Sequence, residues 1–113
     1  MDITSKIEML LRQMGADATM RGYDYTIRSV AKIMEDESWL HRVCQLSEDV
    51  ARDVNSTSGR VSKGILTLCD VVWSTDTGRA VMERLACHKL DKRPTTGKFL
   101  EMLAFGVKTQ DFS

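Results

Sequence analysis

Apolar residues recur at the spacing of an α-helix in one segment of this chain after another, and this periodicity constrains the fold more than any other sequence feature. The first segment places Ile3, Ile7, Leu10, Leu11 and Met14 on one face, since positions i, i+4 and i+7 lie on the same side of a helix. Sustained alternation of apolar and polar residues, which is typical of strands, occurs nowhere in the sequence. We therefore predict an all-α fold, a compact bundle of about six helices.

Residues that favour helix ends mark the first three predicted helices. Ser5 and Glu8 form a capping-box pattern at the start of the first helix, and Gly15 is placed to end it. The second helix extends over residues 23–34 and stops at an acidic run. A short third helix is predicted with Ser38 as its N-cap. Its apolar residues are Trp39, Leu40, Val43 and Cys44.

The rest of the chain contains the remaining helices. Ser47 is followed by two acids, which suit the positive end of a helix dipole, so we expect it to cap a helix about two turns long. A longer helix follows over residues 57–73. Thr75-Asp76 is predicted to begin the next helix, and a threonine of Pro94-Thr95-Thr96 is predicted to cap the last one. The tail Lys108–Ser113 is expected to be loose.

The composition is that of one globular domain of 113 residues, long enough for one hydrophobic core. The 16 basic and 16 acidic side chains cancel, so DNA binding would need a local basic surface rather than a net positive charge. No apolar run approaches the roughly 18 residues of a membrane span, and the first residues lack the pattern of a signal peptide. We expect a soluble, cytoplasmic protein.

No pattern in the sequence favours a metal site, a cofactor or an enzyme. Cys44, Cys69 and Cys87 are odd in number and lie within apolar patterns, which predicts reduced, mostly buried thiols. Together with His41 and His88 they do not reproduce the ligand spacing of a zinc site. No nucleophile motif stands in a strand-turn-helix context. We predict no catalytic residue, no cofactor and no metal.

Residues 51–61 have the spacing of a helix-turn-helix. This motif needs a small residue where two helices cross, a turn residue that tolerates positive φ, and an apolar anchor in the second helix. Ala51, Asn55 and Val61 meet these needs in order, and asparagine is well suited to a left-handed turn. The recognition helix is then the helix predicted over residues 57–73.

The outward face of that helix carries basic and small polar residues and no acid before Asp70. Its members are Thr57, Ser58, Gly59, Arg60, Ser62, Lys63 and Thr67. Such a face can lie against duplex DNA, with Arg60 or Lys63 binding guanine edges or phosphates. The same pattern also fits two packed helices of a bundle whose basic side chains are merely solvated.

Three motifs follow one another along the chain. They are Gly22-Tyr23-x-Tyr25, Val50-Ala51-x-x-Val54-Asn55-x-Thr57-x-x-Arg60-Val61 and Lys92-x-Pro94-Thr95-x-x-x-Phe99-x-x-Met102. Together they resemble the C-terminal DNA-binding domain of the sporulation stage zero A response regulators, which control endospore formation in Firmicutes. The resemblance implies a helix-turn-helix that reads a short DNA box, often as head-to-tail dimers, and that contacts sigma factors of RNA polymerase. The family's phosphorylatable receiver domain is expected to be missing if Met1 is the natural start.

The resemblance also assigns individual residues to DNA reading. The family's reading helix begins at Ser58, and its first base-contacting arginine falls on Arg60. A second family arginine is Lys63 here, which keeps the charge but loses the bidentate geometry. An acidic reading residue is replaced by Ser62, and an Arg-His pair by Leu66-Thr67. These departures predict a weaker or altered sequence preference.

A second basic cluster surrounds residues 94–96. Its cations are Lys89, Lys92, Arg93 and Lys98. In the family this stretch lies near the DNA backbone, and lysines before a helix N-terminus can hold phosphate. A solvated loop is the alternative, and Asp91 partly cancels the charge. The full set of residues predicted to contact DNA is Ser58, Gly59, Arg60, Ser62, Lys63, Thr67, Lys92, Arg93, Thr95 and Thr96.

A rival hypothesis is a protein-interaction module of the same fold, which binds a homologue or a sigma factor and reads DNA weakly or not at all. The zero net charge and the lost reading residues motivate it. A continuous positive face joining Arg60, Lys63 and the Lys92-Arg93 loop favours DNA binding. Acids such as Asp70 or Asp91 within that face favour the interaction module.

Overall fold

The computed structural model describes residues 2–110, and within this range the chain forms six α-helices, one 3₁₀ helix and no strand. The α-helices are α1 (Ile3–Gln13), α2 (Tyr23–Glu35), α3 (Val43–Asp53), α4 (Ser58–Trp73), α5 (Asp76–Ala86) and α6 (Thr96–Thr109). The 3₁₀ helix, Glu37–His41, lies between α2 and α3. The all-α prediction is confirmed. In the described part of the chain, no helix has the length and apolar character needed to cross a membrane.

The core lies around α6, which contacts α1, α2, α4 and α5. Phe99 and Leu103 of α6 are fully buried, and burying a side chain of this size stabilises a fold by roughly 1.5–3 kcal/mol. At Gly106, a Cβ atom would lie 2.7 Å from Leu10 and 2.9 Å from Leu85. Because a side chain has no room there, the glycine allows α6 to pack closely on α1 and α5.

A threonine hydroxyl accepts a backbone N–H from the first turn of each of the last three helices. The three residues are Thr57, Thr75 and Thr95. The starts predicted for α5 and α6 are therefore confirmed, and α4 begins where the recognition helix is predicted to begin. Each such cap stabilises its helix by about 1 kcal/mol relative to alanine.

The caps predicted for the first and third helices are wrong. Asp2, not Ser5, caps α1, because its carboxylate accepts the Ser5 N–H at 2.7 Å. Asp36, not Ser38, caps the 3₁₀ helix through the Ser38 N–H at 3.0 Å. In both places an aspartate precedes the serine, and a carboxylate also interacts favourably with the positive end of the helix dipole.

Ser47 is not an N-cap either. It lies in the middle of α3 and is only 3% exposed. This helix begins earlier than predicted because buried Leu46 continues its apolar stripe toward the N-terminus. The short helix predicted around residues 39–44 is accordingly divided, with its first half in the 3₁₀ helix and its second half in the first turn of α3.

The prediction that the thiols are mostly buried is wrong. Cys69 is buried, whereas Cys44 and Cys87 are exposed. Burial raises the pKa of the Cys69 thiol to about 12, so it is protonated and unreactive at neutral pH. The two exposed cysteines lie on the polar side of amphipathic helices or at a helix end, where an apolar pattern does not determine burial.

The start predicted for the loose C-terminal tail is wrong. Lys108 belongs to α6, because Val107 is buried in the core and Lys108 forms an ion pair with Glu37 of the 3₁₀ helix. Residues 111–113 of the predicted tail lie outside the described residues.

Candidate nucleic-acid interface

α3 and α4 pack against each other through a short turn at Asn55. This residue has a φ of 53°, the left-handed conformation predicted for it. Ala51 is buried on α3, and its carbonyl accepts the Ser56 N–H at 2.9 Å, which closes the turn. Val61 is fully buried on α4. The three residues therefore take the places expected of them in a helix-turn-helix.

One face of α4 is open to solvent along most of the helix. It carries Arg60, Lys63, Thr67 and Asp70, because residues three, four and seven apart share one side of a helix. The face extends over about 15 Å between the first and last of these residues. Among the described residues, no carboxylate lies within 4.0 Å of Arg60 or Lys63. The first two turns of α4 therefore present two cations without internal partners.

Two hydroxyl groups of α4 are engaged within the protein. Ser62 is half-buried, and its Oγ donates to Ser47 Oγ of α3 at 3.0 Å. Thr67 Oγ1 donates to the carbonyl of Lys63, one turn earlier, at 2.8 Å. The Thr67 oxygen keeps lone pairs free to accept a further hydrogen bond. Ser62 is therefore turned toward α3, whereas Thr67 remains on the open face.

The start of α2 crosses α4 at very close range, through two glycines. Gly22 has a φ of 88°, and a Cβ atom there would lie 1.9 Å from the carbonyl oxygen of Gly64. A Cβ atom at Gly64 would in turn lie 2.8 Å from the ring of Tyr25. The Tyr25 hydroxyl lies 3.5 Å from Ser56 Oγ in the helix-turn-helix turn. This crossing therefore fixes the loop before α2 against the first half of α4.

The crossing brings a third cation to the start of α4. Arg21 directly precedes Gly22 and is exposed. With Asp24, Tyr25 and Arg60 it lines a cleft of about 350 Å³. Within the described residues, no carboxylate forms an ion pair with Arg21. Sequence reasoning missed Arg21, although it adjoins the Gly22-Tyr23 stretch already noted.

The second basic cluster is less positive than its sequence suggests. Arg93 donates from its guanidinium to Asp70 Oδ1 of α4 at 2.6 Å, and this hydrogen bond raises the pKa of Arg93. Lys98 lies 3.7 Å from Glu101. Lys92 is exposed and, as far as the described residues extend, has no carboxylate within 4.0 Å. Lys89 is likewise exposed and outside the ion pairs of the described residues, so the cluster keeps cations at Lys89 and Lys92 and is tied to α4 through Arg93.

Residues 7–107 match a protein family described as the C-terminal domain of the sporulation initiation factor Spo0A. The chain belongs to this family. The resemblance inferred from the sequence motifs is confirmed, since the match covers almost the whole chain. The Spo0A C-terminal family is one of DNA-binding effector domains and not of enzymes, so the chain is a DNA-binding regulator in general character.

In this Spo0A-type domain the predicted contact residues fall into two groups. The first lies in the first three turns of α4 and consists of Ser58, Gly59, Arg60, Ser62, Lys63 and Thr67. The second lies before and at the start of α6 and consists of Lys92, Arg93, Thr95 and Thr96. The ion pair between Arg93 and Asp70 links the second group to the last half of α4. Among the described residues, no group of three or more His, Cys, Asp or Glu side chains is placed to hold a metal ion.

Proposed function

We propose that this chain, as a single helix-turn-helix domain, regulates transcription by placing α4 in the major groove of duplex DNA. The observation that carries the proposal is a pair of cations, Arg60 and Lys63, that form no ion pair with the described residues 2–110. They lie on the first two turns of a helix that packs on α3 through a left-handed turn. A recognition helix reads bases with side chains near its N-terminus. Arg60 and Lys63 occupy that region and can donate to guanine edges.

The other residues of α4 have smaller roles in this proposal. Thr67 offers a hydroxyl lone pair to a base or to a phosphate, and exposed Ser58 and Gly59 offer backbone N–H groups to a phosphate at the helix N-terminus. Ser62 reaches a base only if its hydroxyl exchanges Ser47 for DNA. Ser62 therefore contributes less to sequence preference than Arg60.

Phosphate contacts come from two segments outside α4. Lys92, Arg93, Thr95 and Thr96 would hold one strand through cationic side chains, hydroxyls and the N-terminal amides of α6. Arg21, in the loop before α2, would hold a phosphate near Arg60. These contacts position the protein on the duplex and carry no sequence information.

Fluorescence anisotropy tests this function. Binding is measured to a duplex carrying the family's DNA box and to a scrambled duplex, each at two or more salt concentrations. We expect tighter binding to the box and an affinity that falls steeply with salt, because phosphate contacts release counterions. Equally feeble binding to both duplexes contradicts the proposal.

A second candidate function is a protein-interaction module, favoured by one observation. Asp70 lies within the open face of α4 and neutralises Arg93. An acid therefore interrupts the positive face that would join Arg60 and Lys63 to the Lys92-Arg93 loop. The partners implied by the family resemblance are a homologue and a sigma factor. Sedimentation velocity of the chain with a purified sigma factor, and with duplexes carrying one or two boxes, separates sigma binding from dimer formation on DNA.

A further inference from the structure

The Asp70–Arg93 ion pair joins two segments that the proposed function places on DNA. Asp70 lies on α4 two turns after Lys63 and one turn after Thr67, on the same open face. Arg93 belongs to the loop between α5 and α6, and its guanidinium lies 2.6 Å from the Asp70 carboxylate. The side chains are 54% and 38% exposed, so a phosphate can approach both.

We propose that Asp70 competes with DNA phosphate for Arg93 and thereby lowers DNA affinity in a sequence-independent way. This inference rests on the proposed function. A carboxylate and a phosphate present similar oxygens to a guanidinium, and each accepts charge-assisted hydrogen bonds from it. Asp70 therefore occupies, within the free protein, one of the N–H donors that Arg93 offers to a phosphate, and its charge opposes the approach of that phosphate.

The competition is possible because the internal bond is weak. An ion pair between exposed side chains is screened by water and salt, and such pairs contribute little to stability. A duplex lying along α4 brings phosphates to both ends of the pair, where they attract Arg93 and repel Asp70. The position of Asp70 thus gives its charge a direct effect on binding.

The loop that carries Arg93 does not depend on this pair for its position. Pro94 is buried, and its carbonyl lies 3.7 Å from Sγ of buried Cys69. Earlier in the loop, the Leu90 N–H donates to the carboxylate of Glu83 at 2.8 Å. Removal of the Asp70 charge is therefore expected to free the Arg93 side chain and to leave the loop in place.

The test is the DNA affinity of Asp70→Asn, measured by fluorescence anisotropy on the box duplex and on the scrambled duplex over a range of salt concentrations. At low salt we expect both duplexes to bind about 3- to 10-fold more tightly, as for one additional hydrogen bond of typical net strength between exposed groups. The slope of log affinity against log salt is expected to steepen by about 0.9, because one further phosphate is neutralised. The ratio of the two affinities stays unchanged.

Two controls isolate the role of Arg93. Asp76→Asn removes the same charge and frees Arg79 from an ion pair at 3.0 Å, but it lies on α5, which carries none of the proposed DNA contacts. We expect it to change neither affinity nor slope by a comparable amount. In an Arg93→Ala background, Asp70→Asn is expected to leave the salt slope unchanged, because the competing donor is gone.

The direction in which Asp70→Asn changes DNA affinity decides whether the inference holds. If Asp70→Asn weakens binding, the pair positions the loop rather than competing with DNA, and the proposal is overturned. An unchanged affinity overturns it as well, while wild-type binding to the box leaves the proposed function standing. If the folded wild type and the folded Asp70→Asn variant both fail to bind either duplex, the proposed function itself fails and the inference fails with it.

Discussion

The hydroxyl of Ser62 on α4 lies 3.0 Å from the hydroxyl of Ser47, which is buried in the middle of α3. This bond connects α3 and α4, the two helices of the predicted helix-turn-helix. A buried hydroxyl in such a place needs a partner, because its desolvation is otherwise uncompensated. The bond therefore couples the packing of the motif to the orientation of a residue on the proposed reading helix.

Ser47→Ala is expected to destabilise the fold by about 0.5–1.5 kcal/mol, because the Ser62 hydroxyl loses its partner while half-buried. Urea unfolding followed by circular dichroism measures the change. The double variant Ser47→Ala with Ser62→Ala removes both hydroxyls and is expected to cost less than the sum of the single variants. Strict additivity would show that the two hydroxyl groups do not interact in solution.

The contact between Gly22 and Gly64 leads to a second stability prediction. Gly22→Ala forces a side chain into positive φ and against the Gly64 carbonyl, and we expect a loss of roughly 3 kcal/mol or more. Gly15→Ala is the matched control, because Gly15 has a φ of 89° with nothing within 4 Å of its Cβ position. The loss of stability in Gly15→Ala measures the backbone strain alone, and we expect it to be about 1–2 kcal/mol. Thermal unfolding of both variants tests the difference, and equal losses contradict the steric argument.

Local signals in the sequence predict the helices of this fold well. Thr75 and Thr95 cap helices as expected, because each hydroxyl bonds a backbone group only three residues away. Ser47 has the same local signal but lies inside a helix, because packing of the residues before it extends α3. A cap pattern alone does not say whether a helix has already begun.

The candidate site is only half predictable from the sequence. Asn55 and Arg60 follow from spacing within one helical hairpin. The role of Arg21 depends on the close crossing of α2 over α4, and the neutralisation of Arg93 depends on a contact with Asp70, 23 residues away in the chain. Both are products of tertiary packing, which residue spacing does not encode.

Asp49 on α3 provides a prediction for acid stability. Hydrogen bonds from Lys32 of α2 and from Arg52 lower the pKa of this carboxyl below its ordinary value of 3.8. A carboxyl whose pKa is lower in the folded state stabilises the fold above the unfolded pKa, and this stabilisation is lost as the pH falls through the folded pKa. Asp49→Asn should therefore lower the melting temperature at pH 7 and reduce its further decrease below about pH 4. Glu48 is adjacent to Asp49 and lies outside the ion pairs of the described residues, so Glu48→Gln should change neither the melting temperature at pH 7 nor its decrease at acid pH.

Removal of the Arg60 side chain and removal of the Lys92 side chain are expected to change DNA affinity in different ways. Arg60→Ala should cost about 1–3 kcal/mol on the box duplex and relax discrimination at one base pair, because a base-reading donor is lost. Lys92→Ala should weaken box and scrambled duplexes alike, since a phosphate contact carries no sequence information. Anisotropy titrations with both duplexes distinguish the two effects. Equal losses on both duplexes from Arg60→Ala refute its proposed reading role.

Arg21 is the phosphate contact that only the folded structure suggests. Its exposed side chain lines one cleft with Arg60, so Arg21→Ala should weaken binding to both duplexes and reduce the salt slope by about 0.9. Arg84→Ala removes the same charge from an exposed position on α5 and serves as the control. If both variants shift affinity and slope equally, the effect comes from net charge alone. A loss confined to Arg21→Ala places a DNA phosphate beside the N-terminal half of α4, at the cleft that Arg21 shares with Arg60.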